Sequence, residues 1–195
     1  MPFRAGLAAL RTAPRRGFHL AVAVPTLGLL WSETLPGMKF IAWAGAVLGL
    51  VGFAAVWGLR LVLFAVHHRR LTWWFAVAPL AGLLVATSGQ FTVPLQVRFG
   101  LSRPAFDHAV RTLQDPGGGG YYFVGSRRIG SYTIDSARRV HGGVIFDEHN
   151  GDFFDNAGFA YLPDGPTPGL ANDYDFEAPV WNHLQGPWYS WIATW

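Results

Sequence analysis

The sequence predicts a membrane α-helical region of three transmembrane helices, followed by a small, mainly β antiparallel meander domain at the C-terminus. Three observations predict it. Hydrophobic residues make up 51% of the chain and charged residues only 14%, where soluble domains carry nearer a quarter of charged residues. The long apolar runs are confined to the first half. The second half has short runs rich in Tyr, Phe, Val and Ile, separated by Gly- and Asn-bearing turns.

Charge divides the same way. In residues 1–97, seven Arg and Lys39 oppose only Glu33; in 98–195, seven Arg oppose eleven Asp and Glu. The basic half is the half expected to touch lipid. The excess therefore reads as a membrane signal, and no nucleic-acid partner is expected. Cysteine is absent, which excludes disulfides and thiolate metal sites. Arg outnumbers Lys fourteen to one, a usage associated with GC-rich bacterial genomes.

Residues 1–17 read as a basic cytoplasmic arm with Arg4, Arg11, Arg15 and Arg16. The transmembrane region covers 18–97, with helices at about 18–35, 40–66 and 71–91. The first apolar run, 18–31, rises only about 21 Å against a hydrocarbon core of about 30 Å. It spans only by borrowing residues through Leu35. A signal peptide has a similar charged-then-apolar shape, but no A-x-A-like site follows it. The second run contains a single charge, Arg60, near its far end, where a long side chain can reach the headgroups. The third contains Pro79.

Between the second and third runs lies "HHRR". Cytoplasmic loops collect Arg and Lys, so Arg69 and Arg70 place this loop inside, as Arg15 and Arg16 place the arm. The sequence thus predicts a multi-pass cell-membrane protein with a cytoplasmic N-terminus and an extracytoplasmic C-terminal domain. His67 and His68 project about 100° apart on a helix and are read as interfacial, not as a chelating pair. Gly45 and Gly49 form G-x-x-x-G, and Ala78 with Gly82 repeats the small-residue spacing. Such spacing lets helix backbones approach closely, within this chain or against another.

Residues 98–120 read as a connector helix and Gly-rich hinge. Ser102 is the expected N-cap and Pro104 lies in the first turn. "DPGGGG" at 115–120 lacks the Lys-Ser/Thr of a phosphate-binding loop. Residues 121–195 form the expected extracytoplasmic β domain. Four strands are expected: "YYFVGS", "SYTIDSARRV", "GVIFDEH" and "FFDNAGFAYLP". In the second, Tyr132, Ile134 and Ser136 are expected on one face. The tail holds Trp181, Trp188, Tyr189 and Trp191. These are expected to close the core; a seat at the bilayer interface or a platform for stacking glycan are alternatives.

"GFAYLPDGP" followed by "HLQGPWYSW" resembles the ending of a group of small, uncharacterised bacterial membrane proteins, roughly GFAYxPxG then HLxGxWYxW. The resemblance covers mainly 120–195. It implies one folding unit there and carries no activity or catalytic residues.

Chemistry is sparse. His141, Asp147, His149 and Asp152 are the metal-ligand candidates, without the spacing of an EF-hand or of H-E-x-x-H. No serine sits in G-x-S-x-G. No cofactor is expected. The expected function is that of a membrane-anchored, non-enzymatic binding, scaffold or accessory-subunit protein of the cell envelope. Its expected partners are the lipid bilayer and a membrane protein or second copy met through helices two and three. The alternative is an envelope hydrolase or metal-binding sensor using His141, His149 and neighbouring carboxylates.

Overall fold

The computed structural model describes residues 16–37, 40–68, 73–90, 93–113, 120–149, 155–167, 170 and 177–194. The elements are α1 (Arg16–Ser32), α2 (Phe40–His68), α3 (Trp74–Gln90), α4 (Val93–Thr112), β1 (Tyr121–Ile129), β2 (Tyr132–Val140), β3 (Gly143–Glu148), β4 (Asp155–Tyr161), β5 (Glu177–Gln185) and β6 (Trp188–Thr194). They divide into two units: a helical one of Met1–Ser32 with Ile41–Phe91, and a sheet unit of Glu33–Phe40 with Thr92–Trp195.

In the helical unit, only α2 is long and apolar enough to cross a membrane among the described residues, over Phe40–His67. This corrects the expectation of three transmembrane helices. Both α1 and α3 have 17 residues, about 25 Å at 1.5 Å per residue, short of a core of about 30 Å. The residues that the first helix was expected to borrow are used elsewhere. Leu35 is buried in the core of the sheet unit, and Thr34 accepts hydrogen bonds there: its carbonyl from Tyr132 Oη at 3.0 Å, its hydroxyl from Arg98 at 2.8 Å. The helix therefore stops at Ser32, whose hydroxyl turns back onto the Leu29 carbonyl at 2.7 Å. Around α2, Phe18 of α1 meets Phe53, and Phe75 of α3 meets Phe64, with ring centroids 5.8 and 5.2 Å apart.

The sheet unit is a six-stranded antiparallel sheet in the order β1-β2-β3-β4-β6-β5. The expected meander is present as β1 to β4. The tail then adds a hairpin, β5–β6, where only core-closing aromatics were expected. β6 pairs with β4 and leaves β5 on the edge. Bulges bend the sheet. One in β2 lies between Ile134, opposite Glu148, and Ser136, opposite Asp147. Successive residues of β3 point to opposite faces, so the bulge turns Ser136 away from the face of Ile134, against the expected alternation.

That face is covered by α4. Leu95, Phe99, Ser102 and Phe106 are buried, and Ala109 and Leu113 continue the stripe at helical spacing. The helix was expected to begin at Ser102; it begins at Val93, with Pro94 in its first turn, where a missing N–H costs nothing. Ser102 lies mid-helix and has another use. Its hydroxyl accepts from the Ser131 N–H at 3.1 Å and lies 2.8 Å from Ser131 Oγ. This docks the β1–β2 turn on the helix. The approach requires Gly130, where a Cβ would lie 2.6 Å from that of Ser102 and φ is +59°. Arg98 secures the same corner. It donates to the Ser131 carbonyl at 2.6 Å and stacks 4.2 Å over the Tyr132 ring. Phe106 is the centre of the core, with Phe99, Phe146, Phe159 and Trp188 at ring separations of 5.2 to 5.5 Å. The opposite face buries Ile145, Ala160 and Trp191 beneath Leu162 and Leu170.

Candidate functional site: a serine–aspartate–histidine corner

Two irregularities in the sheet build one polar corner. β1 shifts register between Val124 and Arg127, and the β2 bulge falls at Asp135. His149 follows β3 and is held by its N–H to the Thr133 carbonyl at 2.9 Å. The side chains of Ser126 and His149 then converge on Asp135. Ser126 Oγ donates to Asp135 Oδ1 at 2.5 Å. His149 Nδ1 lies 2.7 and 2.8 Å from the two carboxylate oxygens. All three are exposed, so water screens the pair and its contribution to stability is small.

The composition is that of a catalytic triad, but the geometry differs. In a triad the serine bonds the imidazole nitrogen remote from the aspartate. Here Ser126 Oγ is 3.4 Å from His149 Nδ1, the nitrogen that Asp135 already engages. As arranged, Ser126 cannot pass its proton to Nε2. What the corner offers is an imidazole oriented by a carboxylate. With Nδ1–H donating to Asp135, Nε2 is an acceptor for a ligand. The signal missed in the sequence was the pairing of Asp135 with His149, fourteen residues apart and joined only through the β2–β3 hairpin.

The other candidates are dispersed. His141 lies in the β2–β3 turn, and β3, six residues long, separates it from His149 by roughly 20 Å at about 3.3 Å per residue. The two cannot share a metal ion. Asp147 accepts a hydrogen bond from Ser136. Asp152 lies outside the described residues. Among the described residues, no three His, Asp or Glu side chains gather as metal ligands.

Trp188 and Trp191 are fully buried on opposite faces of the sheet. Trp188 donates to Asp107 at 2.9 Å, and Trp191 to the Phe159 carbonyl at 3.3 Å. Neither presents a ring face to a glycan. Trp181 and Tyr189 are half-buried beside Trp191. The resembling motif has a physical content here. "GFAY" is β4 and "WYSW" is β6, paired as Gly158 with Trp191, Phe159 with Ser190, Ala160 with Tyr189 and Tyr161 with Trp188. Gly158 leaves room for the Trp191 indole, whose Nε1 would lie 3.0 Å from a Cβ at that position.

In the helical unit a groove of about 460 Å³ opens between α1, α2 and α3, lined among others by Val22, Leu29, Val51, Trp57, Ala78 and Gly82. A Cβ at Gly49 would lie 3.4 Å from Pro25 of α1, whereas one at Gly45 or Gly82 would meet nothing within 4 Å among the described residues. Of the small-residue positions, then, Gly49 serves helix contact and Ala78 and Gly82 line the groove. Arg16 opens α1 and is exposed; Arg15, Arg69 and Arg70 lie outside the described residues. Compared with protein-family models, with curated proteins and with solved structures, the chain matches none.

Proposed function

We propose that this protein is a membrane-attached binding protein, held in the bilayer by α2, with the sheet unit as its recognition module. The carrying observation is α2 itself. Its most apolar window is only 6% buried by the rest of the fold, and Ile41, Leu48, Val62 and Val66 are more than half exposed. A long helix with this much exposed apolar surface supports a non-aqueous surrounding.

The proposed sidedness rests on the basic sequence after α2 and on connectivity. Residues 33–40 lead into α2 and belong to the sheet unit, while "HHRR" closes the other end of the helix. Retention of Arg69 and Arg70 in the cytoplasm supports an extracytoplasmic sheet unit, with α3, too short to span by itself, returning the chain alongside α2. There the Asp135-oriented His149 and Ser126 form the contact point for a partner. The open flank at Gly45 favours association of two copies through α2. Cross-linking of intact membranes tests both. His149→Ala and Asp135→Ala should abolish a heterologous adduct, and Gly45→Leu a dimeric one, with the protein still in the membrane fraction. A chain recovered in the soluble fraction, or one forming neither adduct at native levels, would contradict the proposal.

A further inference from the structure

Among its described residues the helical unit gives Arg60 no counter-ion. Arg60 lies within α2, eight residues before its end, about 12 Å along the axis. Its guanidinium stacks 5.2 Å from the Phe18 ring centroid. Its Nε is buried and has no hydrogen-bond partner among the described residues. Neither Met1–Ser32 nor Ile41–Phe91 contains an Asp or Glu. No side chain of this unit can neutralise Arg60, and an intramembrane arginine requires a partner.

The groove lies on the same face. Phe53, Trp57 and Arg60 are spaced i, i+4 and i+7 along α2, and the first two line the groove. Its polar side chains are satisfied internally: Thr26 Oγ1 donates to the Val22 carbonyl at 2.9 Å and Trp57 Nε1 to the Phe75 carbonyl at 3.1 Å. Among the described residues no charged group lines it, and its apolar lining matches a hydrocarbon chain. Its volume corresponds to about fifteen water-sized groups of roughly 30 Å³ each, on the scale of one long acyl chain.

We infer that α1, α2 and α3 hold one anionic phospholipid, with an acyl chain in the groove and the phosphate on the Arg60 guanidinium. This rests on the membrane attachment proposed above. The guanidinium fork matches phosphate oxygens, and its stack on Phe18 fixes its position beside α1. The source of the anion is a lipid and not free phosphate, because Arg60 follows the groove-lining Phe53 and Trp57 along the same face of α2, one helical turn beyond the apolar groove.

Native mass spectrometry of the full chain, released from detergent and titrated with phosphatidylglycerol, phosphatidylcholine or inorganic phosphate, tests the inference. The wild type should retain phosphatidylglycerol about five- to tenfold over phosphatidylcholine, as expected for one near-surface charge. Arg60→Gln should reduce that ratio to near one, and Arg60→Lys should keep part of it. Ala78→Leu should lower retention of both lipids and leave the ratio unchanged. An unchanged ratio in Arg60→Gln overturns the inference, as does displacement of bound lipid by millimolar inorganic phosphate. A wild type that stays soluble without detergent refutes the membrane reading itself. A membrane-resident wild type indifferent to headgroup refutes only the lipid site.

Discussion

Replacing Trp188 by alanine separates a structural tryptophan from a ligand platform. The ring is fully buried. Its neighbours are Phe99, Phe106 and Tyr161, at centroid separations of 5.5, 5.5 and 5.2 Å. These come from two different elements, α4 and β4, so the cavity left by truncation cannot close by moving one chain segment. Large-to-small changes at such sites cost about 3–5 kcal/mol. The indole N–H bond to Asp107 is lost as well, although Asp107 is partly exposed and retains Arg103 at 3.5 Å. For a unit of this size, about 1 kcal/mol lowers Tm by roughly 4 °C. Trp188→Ala should therefore lower the sheet unit's melting temperature by on the order of 12–20 °C, read by near-UV circular dichroism of the full chain in detergent. Trp181→Ala, at a half-buried edge-strand position, should cost only about a third as much on the same scale. A Trp188→Ala shift below about 3 °C, or one no larger than that of Trp181→Ala, would refute the assignment of Trp188 to the core.

Gly158→Ala should destabilise the sheet by about 1–3 kcal/mol, because the new methyl would meet the Phe146 carbonyl oxygen well inside van der Waals contact as well as the Trp191 indole; urea denaturation checks it. Burial pushes the Tyr132 hydroxyl above the usual tyrosine value, with Arg98 opposing and Glu148 adding to the shift. The sign follows from linkage: the folded state keeps the proton longer than the unfolded one, so this stability is complete below pH about 10 and is lost as pH rises above it. Tyr132→Phe should flatten the alkaline limb of the stability profile, measured by denaturation between pH 8 and 11. Asp135→Asn should change thermal stability by less than about 1 kcal/mol, since the His149 pair is exposed; a larger loss would make that corner structural.

Periodicity and turn residues made α2 and the meander legible, because each depends on contacts near in sequence. The 27-residue run of 40–66 has one charge, and β2 and β3 are flanked by Gly-bearing turns. What escaped depends on contacts distant in sequence. Helix α1 stops short because Thr34 and Leu35 are claimed by Arg98, Tyr132 and the sheet core, more than sixty residues further on. Ser102 looks like a cap and serves as an anchor for Ser131. The β5–β6 hairpin was hidden in a tail rich in Pro and Gly, although "WYSWIAT" alternates as a strand between two faces that are both buried. Trp188 and Trp191 are expected from the sequence to close the core, with glycan stacking as an alternative; sequence gives the residue type but not that the two are covered on opposite faces. The sequence offers His149 as a metal-ligand candidate beside adjacent acids. The bulge at Asp135 instead brought the carboxylate from the neighbouring strand.

Sidedness of α2 is the most direct test of the account, and the lack of cysteine makes it clean. Asn182→Cys, exposed on β5, and His67→Cys, exposed at the end of α2, are each treated in intact cells with a maleimide that does not cross lipid. The account predicts labelling of Cys at 182 before lysis and of Cys at 67 only after it. Equal labelling of both in intact cells, or the reverse order, would contradict it.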